Sequence, residues 1–369
     1  MSLGEEVDLR RHPPTKNSSL RAWDAADEYL LTHLSGSGVA GARWLLVNDG
    51  FGALSVPLAD RRPTVVSDSI LAIKAIEMNL ARNQVESGLV KFVSGLEPLS
   101  GTYDVVLVKV PKTLALLEYQ LHQLRPHISE STVVVGAGMV KQVHTSTLDL
   151  FERIVGPTTT SLAKKKARLI HSQFDPAGDP GECRFPTSYT TDGGVVAVNH
   201  ANVFSQSRLD IGTRFLLENL PAADGAIDVI DLGCGNGLLG TTMATTFDGG
   251  SMLFTDISFM AVESARETYE GSLPGDGRGK FETADGLAEV ESASFDLVLN
   301  NPPFHDSHVV GDETAWRMFK DSRRVLRIGG ELRVVGNRHL GYHVKLEKLF
   351  GNCETIAANK KFVVLSARR

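Results

Sequence analysis

An apolar strand that runs directly into a glycine-rich turn is the feature that most constrains the fold of this chain. Residues 227–240 read IDVIDLGCGNGLLG, in which aliphatic residues precede Gly233, Gly235 and Gly237. Glycines let the backbone approach a ligand closely, and the amides that open the following helix would point towards that ligand. Strands and helices alternate along both halves of the sequence. This alternation predicts an α/β fold with doubly wound, mostly parallel sheets.

Acidic residues near the ends of successive predicted strands indicate the charge of the ligand. Asp231 precedes the glycines, where it would repel a pyrophosphate but suit a cationic amino-acid group, and the G-x-G-x-G spacing differs from that of nicotinamide-binding folds. Asp256 ends the next strand, where dinucleotide folds bind ribose hydroxyls. Asp285 is placed to accept a hydrogen bond from an adenine amino group, although a solvated strand end would look the same. The pattern favours S-adenosyl-L-methionine.

Two consecutive prolines end a later apolar strand, because proline cannot continue a central ladder. They belong to the sequence Asn301-Pro302-Pro303-Phe304, which His305 follows. The side-chain oxygen of Asn301 and a carbonyl of the proline segment can accept both protons of one NH2 group, and Phe304 can stack on the ring that bears it. Alone, the string could be an ordinary turn. Beside the glycine turn it predicts methylation of an amine on a base.

These motifs resemble those of a known family. Residues 231–237, Asp256 and residues 301–305 resemble the class I (Rossmann-like) methyltransferases that modify the guanine 2-amino group in ribosomal RNA. Residues 22–31, 110–118, 165–170 and 200–205 extend the similarity over the whole chain, towards members acting on the large subunit. The resemblance implies a cytoplasmic bacterial enzyme that makes N2-methylguanosine in 23S ribosomal RNA. Small-subunit members share the catalytic motifs.

The resemblance also implies roles for individual residues. In that family the segment around Phe204 and Asp210 folds over the cofactor, although Phe204 could equally be a core aromatic. His305 could contact the base or the sugar, or it could be a structural donor. The predicted catalytic residues are Asn301, Pro302, Pro303, Phe304 and His305. The predicted cofactor-binding residues are Asp231, Gly233, Gly235, Asn236, Gly237, Asp256, Ile257, Asp285, Gly286, Phe204, Asp210 and Asn301.

The net charge limits how this chain could contact RNA. With 38 Lys and Arg against 44 Asp and Glu the formal charge is -6, so any attraction to phosphate must be local. The clearest basic patch runs from Lys164 through Lys165 and Lys166 to Arg168, and Arg338 follows a predicted strand. Both places could also be ordinary solvated surface. We predict that these five residues bind RNA.

The N-terminal half reads as a degenerate copy of the C-terminal half. The matched pairs are Asn48 with Asp231, Asp68 with Asp256, and Asp104 with Asp296, and their offsets grow from 183 to 188 to 192. A slow increase in these offsets fits loop insertions in a duplicated fold, although unrelated domains of this type share the same order of strands, turns and helices.

The copy has lost the residues that would do chemistry. Leu54 replaces the third glycine, and Lys109-Val110-Pro111-Lys112 stands in the place of residues 301–304. A lysine cannot accept a hydrogen bond from an amine. We therefore predict a degenerate first domain that keeps its fold for shape and RNA binding.

A chain of 369 residues exceeds the usual size of a single core, so two domains are expected. A segment rich in proline and glycine near residues 175–181 predicts the boundary. The predicted domains are residues 1–175 and 187–369, joined by a linker at 176–186. A hairpin is predicted from residues 187–191 and 195–199 around Asp192-Gly193-Gly194. Helices are predicted at residues 22–34, 69–82, 114–124, 209–220, 259–269 and 315–325.

Direct displacement at a sulfonium methyl needs in-line positioning and acceptors for the amine protons, but no strong base. A paired base would have to leave its stack, so protein-free ribosomal RNA is the expected substrate. The three cysteines, Cys183, Cys234 and Cys353, are far apart, as is usual in a reducing compartment. No metal, membrane or obligate protein partner is expected. The alternatives are a small-subunit guanine-N2 methyltransferase, a protein glutamine N5-methyltransferase and a non-enzymatic RNA-binding assembly factor.

Overall fold

A computed structural model describes residues 7–15, 17, 19–206, 208–222, 225–303 and 308–369. The chain divides into two compact units, Met1–Phe185 and Pro186–Arg369. The predicted linker, residues 176–186, lies almost wholly within the first unit and is tied to it. Arg125 donates hydrogen bonds to the carbonyls of Asp175 (2.9 Å) and Gly178 (2.6 Å), and Arg184 pairs with Glu118 at 3.0 Å.

The first unit is a seven-stranded sheet with the strand order β3-β2-β1-β4-β5-β7-β6. All neighbouring strands are parallel except β7, which runs antiparallel to β5 and β6. Two apolar clusters, one on each face, form its core. Its elements are α1 (Ala25–Ser37), β1 (Trp44–Val47), β2 (Thr64–Ser67), α2 (Ile70–Arg82), β3 (Lys91–Ser94), β4 (Val105–Lys109), α3 (Leu114–Leu124), β5 (Val133–Met139), α4 (Thr145–Ile154), β6 (Thr158–Thr160) and β7 (Ala167–Ser172).

The second unit repeats this topology after a short hairpin. Its seven-stranded sheet has the order β12-β11-β10-β13-β14-β16-β15, again with only the last two strand pairings antiparallel. Its elements are β8 (Thr187–Thr190), β9 (Val196–Asn199), α5 (Ile211–Leu217), β10 (Val229–Leu232), α6 (Leu238–Ala244), β11 (Met252–Asp256), α7 (Phe259–Ser272), β12 (Gly279–Thr283), β13 (Phe295–Asn300), α8 (His308–Val325), β14 (Leu326–Asn337), α9 (Tyr342–Phe350), β15 (Glu354–Ala358) and β16 (Phe362–Arg368). The predicted fold class is confirmed.

The six predicted helices all exist, and their ends differ where a cap decides them. Helix α3 has the predicted bounds. Helix α1 begins at Ala25 rather than residue 22, because the Asp24 side chain accepts hydrogen bonds from the backbone of Ala26 and Asp27. Asp210 caps α5 in the same way, which shortens that helix at its start. Helix α8 begins earlier than predicted, at His308. The predicted hairpin forms from β8 and β9.

Strand registers confirm the internal duplication and correct part of its alignment. Val47 pairs with Val108, and Leu232 pairs with Asn300, so the next residues, Lys109 and Asn301, hold equivalent places as predicted. The match of Asp104 with Asp296 is also confirmed. The Asp104 carboxylate accepts from the amide of Arg43, just before β1, and the Asp296 carboxylate accepts from the amide of Asp228, just before β10.

The predicted match of Asn48 with Asp231 is wrong by two residues. The amide of Asn48 donates to Val66 (3.0 Å) as that of Gly233 donates to Thr255 (2.8 Å). Both residues are left-handed, with φ of 65° and 69°. The true offset in the turn is therefore 185, which places Leu46 opposite Asp231. It also places Gly52, not Leu54, opposite Gly237.

The predicted match of Asp68 with Asp256 is wrong by one residue. Ser69 caps α2 and Ser258 caps α7, which fixes the alignment of the two helices. Two residues before these caps lie Ser67 and Asp256, and each accepts a hydrogen bond from the cap amide, at 3.2 Å and 3.1 Å. The first unit therefore has a hydroxyl where the second has a carboxylate.

Candidate active site

The carboxyl ends of three parallel strands bring most of the predicted site together. β10 pairs in parallel with β11 on one side and with β13 on the other, so Gly233, Asp256 and Asn301 follow strands that end at one edge of the sheet. Asn300 joins two of these ends, because its Nδ2 donates to the carbonyl of Leu232 at 2.8 Å. Such an edge is where open α/β sheets bind ligands.

The glycine turn after β10 has the backbone shape that its sequence predicts. Gly233, Gly235 and Gly237 all have positive φ, at 69°, 54° and 71°. A Cβ at Gly237 would lie 2.7 Å from Ala265 on α7, so both conformation and space require glycine there. Asp256 fixes the turn to β11, since its carboxylate accepts hydrogen bonds from the amides of Gly235 and Ser258, each at 3.1 Å. Burial raises the pKa of Asp256, and hydrogen bonds from the amides of Gly235, Ser258 and Ile257 oppose this effect.

Asp231 is a buried carboxylate with one oxygen unused by the described residues. Its Oδ2 accepts from the amide of Gly240 at 2.8 Å, in the first turn of α6. Within the described ranges its Oδ1 has no hydrogen-bond partner. Burial, with a smaller contribution from the charge of Asp256, raises the pKa of Asp231 to about 7. A cationic ligand group would compensate this carboxylate.

Asp285 has a partner that the sequence did not predict. Its oxygens lie 2.9 Å and 3.2 Å from the two terminal nitrogens of Arg317 on α8. This two-point pairing fixes the plane of the carboxylate. An adenine amino group would have to share Asp285 with Arg317. Gly286 follows in the left-handed conformation, with φ of 63°.

Asn301 is oriented by Thr213, a residue that sequence reasoning did not single out. Its Nδ2 donates to Thr213 Oγ1 at 2.9 Å, and the amide of Thr213 is held by Asp210 Oδ2 at 2.9 Å. Asn301 Oδ1 is buried and has no hydrogen-bond partner in the part of the chain that the structure describes. An acceptor is thus held in place at the end of β13. The spacing of Asp210 and Thr213, a helix cap and its third residue, was the available signal.

The hairpin β8–β9 contacts the glycine turn through two residues that sequence reasoning also missed. Asn236 Nδ2 lies 3.2 Å from the Tyr189 hydroxyl and 3.0 Å from Asn199 Oδ1. Burial raises the pKa of Tyr189, and the charge of Asp210 adds to that effect. Thr268 on α7 accepts from the amide of Val198 at 2.9 Å, which fixes the hairpin to the unit.

Three apolar side chains predicted for the site or next to its polar residues in sequence are exposed. Phe204 is 56% exposed, Ile257 is 41% exposed and Ile211 is 61% exposed. Ile257 follows Asp256 and Ile211 follows Asp210 directly. Exposed apolar side chains beside a polar site are typical of a surface that a ligand covers. Of the predicted catalytic residues, Pro302 is buried and Pro303 is exposed, whereas Phe304 and His305 lie outside the described residues.

The predicted RNA-binding lysines form the tip of the hairpin β6–β7. Lys164 and Ala167 exchange two backbone hydrogen bonds of 2.9 Å, and Lys165 and Lys166 between them are left-handed, with φ of 49° and 64°. This turn normally contains asparagine and glycine. Lys165 pairs with Glu28 at 3.0 Å but its side chain is still 72% exposed.

The two remaining predicted RNA contacts lie at other places. Arg168 is half-buried on β7, and Arg338 is exposed just beyond β14. The role of these five residues in RNA binding remains a prediction.

The described residues contain no group of three or more His, Cys, Asp or Glu side chains able to hold a metal ion. No helix among them is long and apolar enough to cross a membrane. The expectation that no metal takes part stays a prediction.

The duplicated sheet order and the glycine-turn site define a protein with two tandem class I methyltransferase domains. The family description "RLMG N-terminal domain" matches residues 1–176, and "Methyltransferase small domain" matches residues 194–366. The chain belongs to the ribosomal RNA large subunit methyltransferase G family. The family predicted from the sequence is thereby confirmed.

Individual relatives resemble the chain over nearly its full length. It is 53% identical to ribosomal RNA large subunit methyltransferase G of Streptomyces coelicolor over 371 residues, which cover 99% of this chain and 98% of that protein. It is 47% identical to the protein of that name from Klebsiella pneumoniae, over 99% and 97% of the two chains. A T. thermophilus 16S rRNA N2 methyltransferase, solved with AdoMet and guanosine, has a TM-score of 0.78 and 21% identity over 96% of this chain and 94% of its own. That likeness concerns the fold.

Proposed function

We propose that this protein transfers a methyl group from S-adenosylmethionine to the exocyclic 2-amino group of a specific guanine in 23S ribosomal RNA. The observation that carries the proposal is the oriented Asn301 amide, whose Oδ1 is a buried acceptor at the same sheet edge as the glycine turn. Close relatives named as large-subunit ribosomal RNA methyltransferases support the substrate class. An rRNA substrate also supports a cytoplasmic location.

The residues around the glycine turn fit S-adenosylmethionine. Asp231 Oδ1 would accept from the ammonium group of the methionine moiety, and its burial favours a cation there. Asp256 would accept from the ribose hydroxyls, and the exposed Ile257 would cover a face of the adenine. When bound, the cofactor supplies a methyl carbon on a positively charged sulfur, which makes it open to displacement.

The protein's part in the reaction is to hold the guanine amine. Asn301 Oδ1 and the carbonyl of Pro302 would accept the two N–H protons, which turns the nitrogen lone pair towards the methyl carbon. The Thr213 hydroxyl donates to Asp210 Oδ2 at 3.4 Å, so it accepts from Asn301 Nδ2 and leaves the Asn301 oxygen for the guanine. Phe304 would stack on the base, and His305 would lie beside it. No residue has to remove a proton before the transfer, so positioning is the main contribution.

We assign residues 187–369 to catalysis and residues 1–175 to a degenerate domain that binds RNA, and residues 176–186 connect the two while packing against the first unit. Lys164, Lys165, Lys166, Arg168 and Arg338 would contact phosphates. The guanine must leave any base stack to reach Asn301, which costs least in unpaired RNA. Protein-free 23S ribosomal RNA is therefore the substrate we propose.

One incubation tests the reaction. Labelled S-adenosylmethionine and the protein are mixed with protein-free 23S or 16S ribosomal RNA from a strain that lacks the enzyme, and the nucleosides are then analysed. Label should appear as N2-methylguanosine in 23S RNA. Label in 16S RNA instead would favour the small-subunit alternative. A parallel incubation with cell protein in place of RNA, analysed for N5-methylglutamine, tests the protein methyltransferase. No transfer to any of these would leave the RNA-binding assembly factor.

The variant Asn301→Ala tests the observation that carries the proposal. It should lower the methylation rate by about 100-fold or more, because one fixed contact to the reacting group is lost. Cofactor affinity, measured by calorimetry, should stay close to that of the wild type. Asn352→Ala, at an exposed asparagine before β15, is the control and should methylate normally. Full activity of Asn301→Ala would reject this role for Asn301.

A further inference from the structure

The last hairpin of the second unit ends in two lysines that sequence reasoning did not single out. β15 and β16 are joined by a turn containing Asn359, Lys360 and Lys361. Asn359 Oδ1 accepts from the amides of Lys361 (2.9 Å) and Phe362 (2.7 Å), which holds the turn closed. Both lysines are exposed. The turn therefore presents two cations on a fixed backbone.

This turn is the internal counterpart of the lysine turn in the first unit. Met139 at the end of β5 pairs with Ala167, and Asn337 at the end of β14 pairs with Phe362. The next residue along each strand also bonds to the turn. Val140 donates to the carbonyl of Lys166 at 2.8 Å, and Arg338 donates to the carbonyl of Lys361 at 3.0 Å.

By this register Lys165 and Lys166 correspond to Lys360 and Lys361. The two turns have different backbone shapes, since only the first was found with left-handed lysines. The pair of lysines is the property they share. A shared pair at one place in two otherwise divergent copies suggests a shared ligand.

The second turn lies close to the candidate active site within its own unit. Asn300 pairs with Val334 on β14, and β14 continues for three residues to Asn337, which pairs with Phe362 on β16. At the usual spacings this is roughly 10 Å further along the strands and roughly 10 Å across the sheet. The lysines therefore project beyond the edge where Asn301 lies, within reach of nucleotides beside a bound guanine.

The cations at this turn contact only uncharged groups among the described residues, such as the Phe362 ring, whose centroid lies 5.0 Å from Lys361 Nζ. The Arg338 guanidinium donates to the carbonyl of Asn359 at 3.3 Å, which brings a third cation to the turn. Among the described residues, no carboxylate lies within ion-pair distance of Arg338, Lys360 or Lys361. By contrast, Arg333 and Arg368 share the carboxylate of Glu331, at 2.6 Å and 2.9 Å. In a chain with a net charge of -6, a cluster of cations without a carboxylate partner among the described residues marks a place for an anion.

We propose that Lys360, Lys361 and Arg338 bind the phosphate backbone of the RNA that flanks the target guanine. This inference rests on the proposed function and adds a contact surface to it. The site recognises phosphates rather than bases, because lysines act as point charges and bind the backbone of any sequence. It would hold the strand beside the active site while the guanine occupies Asn301.

The test is a comparison of two charge-removing double variants of the full chain. Lys360→Gln with Lys361→Gln removes the proposed contacts. Lys280→Gln with Lys320→Gln removes two exposed lysines from β12 and α8 of the same unit and is the matched control. The dissociation constant for protein-free 23S RNA is measured over a range of salt concentrations, and the affinity for S-adenosylmethionine is measured alongside.

Loss of two phosphate contacts should lower the slope of log affinity against log salt by about 1.4, since each contact on a single strand contributes about 0.7. At 0.1 M salt this corresponds to about fivefold weaker binding per lysine. Cofactor affinity should not change, and the control pair should bind RNA like the wild type. An unchanged slope and affinity in Lys360→Gln/Lys361→Gln would overturn the inference.

The wild-type protein separates this inference from the proposed function. If the wild type methylates 23S RNA but the variants bind RNA normally, only the lysine turn is excluded. If the wild type methylates no RNA, the proposed function fails irrespective of the variants. A loss of RNA affinity in the control pair as well would show a general charge effect and would also overturn the inference.

Discussion

The two units have the same sheet order but contrasting side chains at the carboxyl ends of β4 and β13. In the second unit Asn301 bonds to Thr213, and its oxygen has no hydrogen-bond partner among the described residues. In the first unit Lys109 bonds to Asp24 at 2.8 Å and to Asp27 at 2.6 Å, and its side chain is only 13% exposed. Asp24 and Asp27 are the cap and third residue of α1, as Asp210 and Thr213 are of α5. The same position thus holds an acceptor available to a ligand in one unit and an internal ion cluster in the other.

The glycine turns of the two units also differ in how fully their polar groups are hydrogen-bonded within the unit. In the first unit Asp49 accepts hydrogen bonds from the amides of Gly52, Ala53, Leu54 and Ser55 and from the Ser55 hydroxyl, at 2.6–3.1 Å. Asn48 and Gln120 also pair with each other through two hydrogen bonds, of 2.8 Å and 2.7 Å. These polar groups satisfy one another, whereas Asp231 in the second unit keeps an oxygen without a partner among the described residues. The comparison teaches that a site no longer offers its polar groups to a ligand once those groups hydrogen-bond to one another.

The largest expected effect is at Lys109. Lys109→Met should lower the free energy of unfolding of the first unit by about 3–5 kcal/mol, because the buried Asp27 and the half-exposed Asp24 lose their partner. Burial alone would lower the pKa of Lys109, but the charges of Asp27 and Asp24 raise it above its ordinary value, so the lysine is charged. Burial raises the pKa of Asp27 to about 6. Urea unfolding followed by the fluorescence of Trp23 and Trp44 measures the change.

Lys91→Met, at an exposed lysine on β3, is the control for that experiment and should be near neutral. Methylation per folded molecule should be retained in Lys109→Met. A variant that stays stable but loses methylation would break the comparison, because the chemistry would then depend on the first unit.

The lysine turn of the first unit should show a smaller effect of opposite sign. Lys165→Asn with Lys166→Gly should raise the free energy of unfolding by about 2 kcal/mol, because a left-handed conformation costs about 1–2 kcal/mol at a lysine. The same variant should bind 23S RNA more weakly. Lys164→Gln, which removes a charge without this backbone effect, should weaken RNA binding but leave urea stability unchanged. Lower stability in the double variant would contradict the strain argument.

Thr213→Val should slow methylation by about tenfold, since a misoriented reacting group loses part of the positioning effect. Valine keeps the shape of threonine but cannot accept from Asn301 Nδ2. Single-turnover rates with saturating RNA and cofactor measure the effect. Thr245→Val, at an exposed threonine after α6, is the control. A normal rate in Thr213→Val would mean that Asn301 is oriented without Thr213.

The smallest expected effect concerns pH and Asp231. With a pKa of about 7, the ionised fraction of Asp231 rises about fourfold between about pH 6.5 and about pH 8, and cofactor affinity should rise with it. The pKa of this carboxyl is raised by folding, so its contribution to stability is present below about pH 3.8 and is lost as the pH rises through about 7. Calorimetric titrations across this range, repeated with Asp231→Asn, measure the effect. A variant with the same pH dependence as the wild type would exclude Asp231 as its source.

Sequence patterns predicted the features that depend on residue type at short range. The glycine turn, the strand ends with Asp256 and Asn301, and the helix α3 all follow from local preferences for conformation and burial. The duplication was predicted in outline, but its register was not. Short polar residues such as Asn48 and Asp68 look alike at a strand end, and only hydrogen-bond pairing shows that Ser67 stands opposite Asp256.

Contacts between distant segments could not be predicted in this way. Thr213 lies 88 residues before Asn301, and Arg317 lies 32 residues after Asp285. Tyr189 reaches Asn236 from a hairpin 47 residues earlier in the chain. Packing of the folded unit brings these partners together, and no local pattern encodes it.

The hydrogen bond from Asn301 Nδ2 to Thr213 also bears on which bases can enter. An asparagine whose amide could rotate would hydrogen-bond to either an amino or a keto group of a base. The Asn301 amide is held by Thr213, which leaves its oxygen available. In the proposed site it would accept from a base that presents a hydrogen-bond donor and would oppose a base that presents only a carbonyl at that point. Adenine and cytosine also carry amines, so this contact cannot by itself tell guanine from them. Discrimination among the amine-bearing bases must come from what surrounds the rest of the ring.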